Sequence, residues 1–147
     1  MGKKYMEKCK DDFYIREYNK SDSLLFFERF QNAGDWWELS IKPTAKSLLR
    51  NYDGKTIKAF VACENEEIVG FIYGYVFPDG LLIPEFMYVD SNFRNRGIGR
   101  KLLSILEKES GCTSSMIFYN KALRDYYKKQ GYSTGDDIET AIKLFED

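Results

Sequence analysis

The stretch Leu81-Leu-Ile-Pro84-Glu85-Phe-Met-Tyr-Val89-Asp-Ser-Asn-Phe-Arg94-Asn-Arg-Gly97-Ile-Gly99-Arg-Lys-Leu-Leu103 decides the fold. Its first nine residues, apolar apart from Glu85, read as a strand that ends at Val89. Pro84 interrupts the pattern and points to an irregular or edge position. A short polar loop follows. Ile98, Leu102, Ile105 and Leu106 then recur at helical spacing, and Gly111 supplies a stop. A strand-to-helix junction of this kind is physically an anion cradle. The first N–H groups of a helix lack intrahelical partners and carry the positive end of the helix dipole. An anion satisfies them if no side chain blocks its approach. Gly97 and Gly99 remove side chains at that point, and Arg94, Arg96, Arg100 and Lys101 add positive charge.

Outward from this junction the chain is strand-rich upstream. Residues 57–63 and 68–77, joined by Glu64-Asn65-Glu66-Glu67, read as a hairpin, and Pro78-Asp79-Gly80 turns into the strand at Leu81. Residues 13–18 form a first strand. Ser21 and Asp22 are N-cap candidates for a helix carrying Leu24, Leu25, Phe26, Phe27 and Phe30. A second helix starts near Pro43 and carries Leu48 and Leu49, with a turn at residues 51–54. Downstream, residues 115–119 read as a short strand, 120–130 as a helix closed by Gly131, and 138–145 as a final strand. This order predicts an α+β (mixed α/β) chain around one central sheet, with residues 1–147 as a single domain.

Composition narrows the chemistry. With 44% apolar and 31% charged residues the chain is globular in type. It has no histidine, which removes Ser-His-Asp and Cys-His nucleophile systems and His metal sites together. Cys9, Cys63 and Cys112 show no CxxC spacing and suit a reducing compartment. No apolar run is long enough to cross a membrane, and the charged N-terminus lacks a signal-peptide core, so a cytoplasmic protein without a membrane partner is expected. Net charge is −1, yet residues 94–129 hold 9 basic and 3 acidic side chains. One basic segment in an otherwise acidic chain fits a local anion site better than a nucleic-acid surface.

Two phosphate motifs are excluded. No GxxxxGK[ST] occurs, and Leu102 fills the third glycine position of a dinucleotide fingerprint. Arg94-x-x-Gly97-x-Gly99, directly after a strand, resembles instead the acetyl-CoA pyrophosphate motif of the GCN5-related N-acetyltransferases (GNAT). Asn120, then Tyr127 seven residues on, then Gly131-Tyr132, is similar to that family's second signature. The order of elements from about Tyr14 to Phe145 fits as well.

The resemblance implies the GNAT fold, with a mostly antiparallel sheet flanked by helices. It also implies an N-acetyltransferase that moves an acetyl group from acetyl-CoA to a primary amine, without a metal. The backbone of Met87, Tyr88 and Val89 would pair with the pantetheine arm. Asn95, Arg96, Gly97, Ile98, Gly99 and Arg100 would supply pyrophosphate contacts, and Asn120 would touch the cofactor arm. Tyr127 would protonate the departing thiolate, and Glu85 would take the amine proton. Local alternatives stand beside each role: a helix N-cap for Asn120, core packing for Tyr127 beside Tyr126, and a water-facing edge position for Glu85. Some protein N-terminal acetyltransferases carry a glutamate five residues before the Asn, where this chain has Ser115.

Without a histidine to activate a thiol, direct attack in a ternary complex is expected, with a strand N–H near Met87 or Tyr88 polarising the carbonyl. A small-molecule amine is the expected acceptor, held by acidic and aromatic residues among Asp35-Trp36-Trp37-Glu38, Asp79 and Asp136-Asp137. A homodimer is left open. The competing expectations are a non-catalytic acyl-CoA-binding module of the same fold and a protein or peptide N-acetyltransferase.

Overall fold

A computed structural model describes residues 4–5, 13–23, 48, 50–135, 141, 143 and 145. They fall into two units, Met1–Met116 and Ile117–Asp147. The first unit holds a six-stranded sheet: β1 (Lys4–Tyr5), β2 (Tyr14–Glu17), β3 (Ile57–Glu64), β4 (Glu67–Val76), β5 (Leu81–Val89) and β6 (Ser114–Ser115), in that spatial order. Strands β1 to β5 pair antiparallel with their neighbours. The helix α1 (Ile98–Ser110) crosses over to β6, which joins β5 in parallel. Four predicted strands appear within a residue of their sequence bounds. The exceptions are β1, which the charged N-terminus does not announce, and β6, which starts at Ser114 and includes only Ser115 of the five residues predicted over 115–119.

Local chemistry explains the turns. Asn65 and Glu66 both take positive φ, 50° and 68°, the two-residue turn whose twist suits a hairpin. Asp53 accepts backbone N–H groups from Lys55, Thr56 and Ile57, which launches β3 and holds its carboxyl well below the usual carboxylate range. The predicted caps at Ser21 and Asp22 are not caps. Asn19 accepts the Ser21 N–H, while Asp22 is itself helical and binds both terminal nitrogens of Arg16 at 2.8 Å. Asp22 Oδ2 also accepts the Asn19 N–H at 2.9 Å, so one carboxylate serves both the guanidinium and the backbone before the helix. Leu48, Arg50 and Asn51 are helical, so the turn predicted from Asn51 starts later. Residues 24–47, with the aromatic run and Pro43, lie outside the described residues.

Two glycines set how α1 meets the sheet. Gly70 and Gly74, four apart on β4, face the same side. A Cβ on Gly70 would lie 3.1 Å from both Ile98 Cγ2 and Leu102 Cδ1; on Gly74 it would lie 3.2 Å from Leu106 Cδ2. Ile98, Leu102 and Leu106 therefore lie along bare backbone, and burying each contributes about 1.5–3 kcal/mol. Gly70 pairs with Val89 and Gly74 with Pro84, so α1 runs back along β5 with its first turn over the strand's end. The opposite face packs Tyr18, Leu48, Ile57, Ala59, Val61, Cys63, Phe71 and Tyr73 into the main core. No helix among the described residues is long and apolar enough to cross a membrane.

In the second unit, the single helix predicted over 120–130 is two pieces. Lys121–Leu123 is a 3-10 turn capped by Asn120, and α2 spans only Arg124–Lys129. Residues 136–140, with Asp136 and Asp137, lie outside the described residues. So do alternate positions of the predicted final strand, and its described residues Ala141, Lys143 and Phe145 are not in a strand.

Candidate active site

The strand end, loop and helix start of the first unit form the candidate site. β5 carries a bulge. Tyr73 pairs with Phe86 and Gly74 with Pro84, which leaves Glu85 as the extra residue. Proline fits here because the bulge already interrupts the ladder beside it. Glu85 is reached by solvent, yet surrounding protein displaces enough water to push its carboxyl pKa upward, with burial as the sole cause. A carboxyl of this kind holds a proton more readily than a free glutamate and accepts one from an amine more readily too.

Past the bulge, Met87, Tyr88 and Val89 pair with Ile72, Phe71 and Gly70 on the β4 side. On the other side, β6 meets β5 only at Leu81 and Leu82, with Met116 N–H donating to Leu82 O at 2.9 Å. The loop is then tied down step by step. Asp90 N–H donates to Val69 O, and the Asp90 carboxylate accepts the Asn92 N–H to cap a 3-10 turn over Ser91–Phe93. Arg94 Nε donates to Val89 O at 3.0 Å, and its guanidinium lies over the Tyr88 ring at 5.4 Å. Arg96 donates to Glu64 Oε2 at 3.0 Å and lies over the Phe93 ring at 5.3 Å.

The chain then enters α1 through a left-handed residue, Gly97, with φ 80°. Asn95 is also at positive φ, 63°, a conformation that asparagine tolerates better than most residues. No side chain caps the helix and its first turn holds no acidic residue. A Cβ on Gly97 would meet only Arg100 Nη2, at 3.7 Å, so the space in front of the helix start is open. The arrangement fits a pyrophosphate: donors without intrahelical partners, nearby cations, and no opposing carboxylate in the turn. Ile98 contributes its backbone there, since its side chain is buried.

The other predicted residues lie in the second unit. Asn120 uses its side-chain oxygen to accept the Ala122 N–H at 2.9 Å, so its capping role is real. Tyr127 is the one buried residue of α2 and is ringed by Tyr119, Tyr126 and Tyr132 with centroids 5.0–6.0 Å away. Burial, with a smaller contribution from Tyr126, pushes its hydroxyl pKa up to about 12. Cys63 is buried and its thiol is pushed up as well, which suits the absence of a thiol nucleophile from the expected chemistry. Asp79 is an exposed turn residue; Asp35, Trp36, Trp37 and Glu38 lie outside the described residues. The described residues hold no group of three or more His, Cys, Asp or Glu side chains able to bind a metal. Sequence reasoning missed the two side-chain anchors of the loop, Arg94 on Val89 and Arg96 on Glu64. The second joins residues 32 apart, with no local signal to reveal it.

Comparison with known proteins agrees with this geometry. The acetyltransferase (GNAT) domain family model matches residues 55–134. The chain belongs to the GNAT family and is an acetyl-CoA-dependent N-acetyltransferase. An acetyltransferase of Trypanosoma brucei superposes with a TM-score of 0.68 at 20% identity, covering 90% of this chain and 100% of that one. Glucosamine-6-phosphate N-acetyltransferase of Arabidopsis thaliana gives 0.69 at 22% identity, covering 91% and 99%. An aminoglycoside N-acetyltransferase in complex with CoA gives 0.69 at 15% identity, covering 94% and 99%. No curated protein sequence matches.

Proposed function

We propose that this chain acetylates a primary amine of a small molecule by direct attack on acetyl-CoA within a ternary complex, and that residues 1–147 act as one catalytic domain. The family match, which runs through the boundary at Met116, supports the single domain. The observation that carries the reading is the uncapped, acid-free start of α1 behind left-handed Gly97, at the end of a strand whose bulge presents a carboxyl. The N–H groups of residues 97–100 hold the pyrophosphate, helped by Asn95 and the cations of Arg96 and Arg100. Backbone groups of Met87, Tyr88 and Val89 pair with the pantetheine arm, and one N–H near Met87 or Tyr88 polarises the thioester carbonyl. Asn120 touches the cofactor arm through its amide.

Glu85 takes the proton from the attacking amine, directly or through a water. Amines near pKa 10 are charged at neutral pH, so this step is required. Tyr127 gives its proton to the departing thiolate. A hydroxyl held near 12 stays protonated at any working pH and so remains available as a donor. No metal takes part in this scheme. The fold neighbours that are aminoglycoside and glucosamine-6-phosphate acetyltransferases support a small amine, while a ribosomal-protein-alanine N-acetyltransferase among them marks the alternative.

A thermal melt with acetyl-CoA tests the site. A ligand at 100 times its Kd stabilises by about 2.7 kcal/mol, and free adenosine should do much less. Gly99→Val should lose the shift while keeping the unliganded Tm within a few degrees. It is preferable to a change at Gly97, where φ 80° strains any side chain. A normal acetyl-CoA shift in Gly99→Val would remove the pyrophosphate from this turn. A screen of amines, from polyamines and aminoglycosides to amino acids and peptide N-termini, then reads the acceptor.

A further inference from the structure

We propose that Glu64, at the end of β3, is a positioning residue for acetyl-CoA: it holds the Arg96 guanidinium in place beside the pyrophosphate turn. The proposal rests on the cofactor site described above. Three observations carry it. The Arg96 Nη1–Glu64 Oε2 contact is 3.0 Å, with side chains only 31% and 22% exposed, so bulk water screens the pair less than an open surface pair. The guanidinium is held a second time over the Phe93 ring, with Cζ 5.3 Å from the ring centre. Only Nη1 is engaged by Glu64. Nε and Nη2 carry no hydrogen bond to any described residue, so donors remain for an anion.

Geometry makes the case that this carboxylate does not simply oppose the cofactor. Glu64 sits at the hairpin end, where it pairs with Glu67 across β3–β4. β4 in turn carries Val69 and Gly70, which hold the Asp90 N–H and the first turn of α1. The Arg96–Glu64 pair thus ties the loop side chain to the same rigid hairpin that already holds the loop's start and the helix. Arg96 is one residue before left-handed Gly97 and follows Asn95 at positive φ. A long, rotamer-rich side chain in such a loop loses entropy on binding a phosphate; fixing it beforehand removes that loss at the moment of binding.

The sign of the effect separates this from its rivals. A bystander carboxylate near an anion site repels the cofactor, and its removal tightens binding. A positioning carboxylate does the reverse. Acetyl-CoA Kd is measured by calorimetry on Glu64→Ala, Glu64→Gln, Arg96→Met, the double variant Glu64→Ala/Arg96→Met, and Gly99→Val. Glu64→Ala should weaken binding about two- to fivefold, the range of a well-formed ion pair. Glu64→Gln keeps an acceptor for Nη1 and should recover most of that loss. In the Arg96→Met background, Glu64→Ala should have no further effect, because Glu64 acts through Arg96. In steady state the loss should fall on KM for acetyl-CoA and leave kcat unchanged. Tighter or unchanged binding in Glu64→Ala overturns the proposal, and so does a Tm loss without a Kd change. A full independent loss in the double variant does the same. If Glu64→Ala is silent while Gly99→Val abolishes binding, only the positioning role fails. If Gly99→Val also binds normally, the cofactor site itself is wrong.

Discussion

Replacing Gly74 by alanine should damage the protein more than replacing Gly70, and in a different way. A Cβ on Gly74 would sit 2.8 Å from the Ile83 carbonyl oxygen and 3.1 Å from Pro84 Cα, both backbone atoms, besides 3.2 Å from Leu106 Cδ2. Backbone cannot swing aside as a side-chain tip can, so β5 must move where Glu85 bulges out. Overpacking of this kind costs about 1–3 kcal/mol, while alanine returns about 0.4–1 kcal/mol by restricting the unfolded chain. The net loss of about 1–2 kcal/mol corresponds to a Tm drop of about 2–8 °C at this chain length. A Cβ on Gly70 meets only side-chain carbons, Ile98 Cγ2 and Leu102 Cδ1 at 3.1 Å and Ala62 Cβ at 3.4 Å. There the two terms nearly cancel, and Tm should move by about 2 °C or less. The kinetic consequences separate too. Gly74→Ala should lower kcat by about tenfold or more, since a base displaced by a fraction of an ångström loses its reaction geometry. Gly70→Ala lifts the first turn of α1 and should instead raise KM for acetyl-CoA. Thermal melts and steady-state kinetics on both variants are the assay. Equal Tm values, or a Gly74→Ala enzyme with undiminished kcat, would refute the argument that the bulge positions Glu85.

Tyr127→Phe should lower kcat about 10²-fold with little change in KM for acetyl-CoA, while Tyr126→Phe stays near wild type; full kcat in Tyr127→Phe removes the acid assignment. The pH–rate profile should lose activity on its acidic limb at a pH above the ordinary glutamate range, because Glu85 must be ionised to act and its pKa is raised. In Glu85→Gln that limb should flatten, and high pH should partly restore the rate. The same variant should melt slightly higher at neutral pH: a carboxyl whose folded pKa is raised favours folding only when protonated, so its charge opposes folding above that pKa. An unchanged limb, or a lower Tm, counts against Glu85 as a half-desolvated base.

The fold was legible where local chemistry and the global arrangement agree. Strand β5, its turn at Pro78-Asp79-Gly80 and the helix from Ile98 to Gly111 were readable residue by residue, because a period of two gives way to helical spacing and glycines mark the changes. Legibility failed where side chains had a choice. Asp22 reads as an N-cap, yet it lies inside the helix and its carboxylate binds the Asn19 N–H and Arg16, six residues away. Asn120 looked like the start of one long helix; its cap closes a single 3-10 turn first, and of the apolar residues at helical spacing, Ala122, Leu123, Tyr126 and Tyr127, only Tyr127 is buried, which leaves little packing to hold a longer helix. At the site, the glycines and Glu85 stood out in the sequence. Arg96 did too, but its partner did not, since 32 residues and a hairpin lie between them and charged candidates are plentiful.

The breaches of local rules gather in one place. Proline stands inside a strand at Pro84, a carboxyl interrupts an apolar run at Glu85, Asn95 takes positive φ, and a 13-residue helix begins without a side-chain cap. Each is unfavourable alone, and a stable fold has no use for all four within fourteen positions of a well-packed sheet. The other positive-φ side chains, Asn65 and Glu66, answer to their hairpin and need no further reason. The breaches at 84–97 have only a chemical one in common. The bulge turns a carboxyl out of the ladder, and the bare helix start leaves donors open to an anion. Gly70 and Gly74 let α1 hold both features against the same two strands. The stability lost along this stretch is what the proposed acyl-transfer site would require, and that is why the residues least suited to a strand and a helix were the ones that pointed to it.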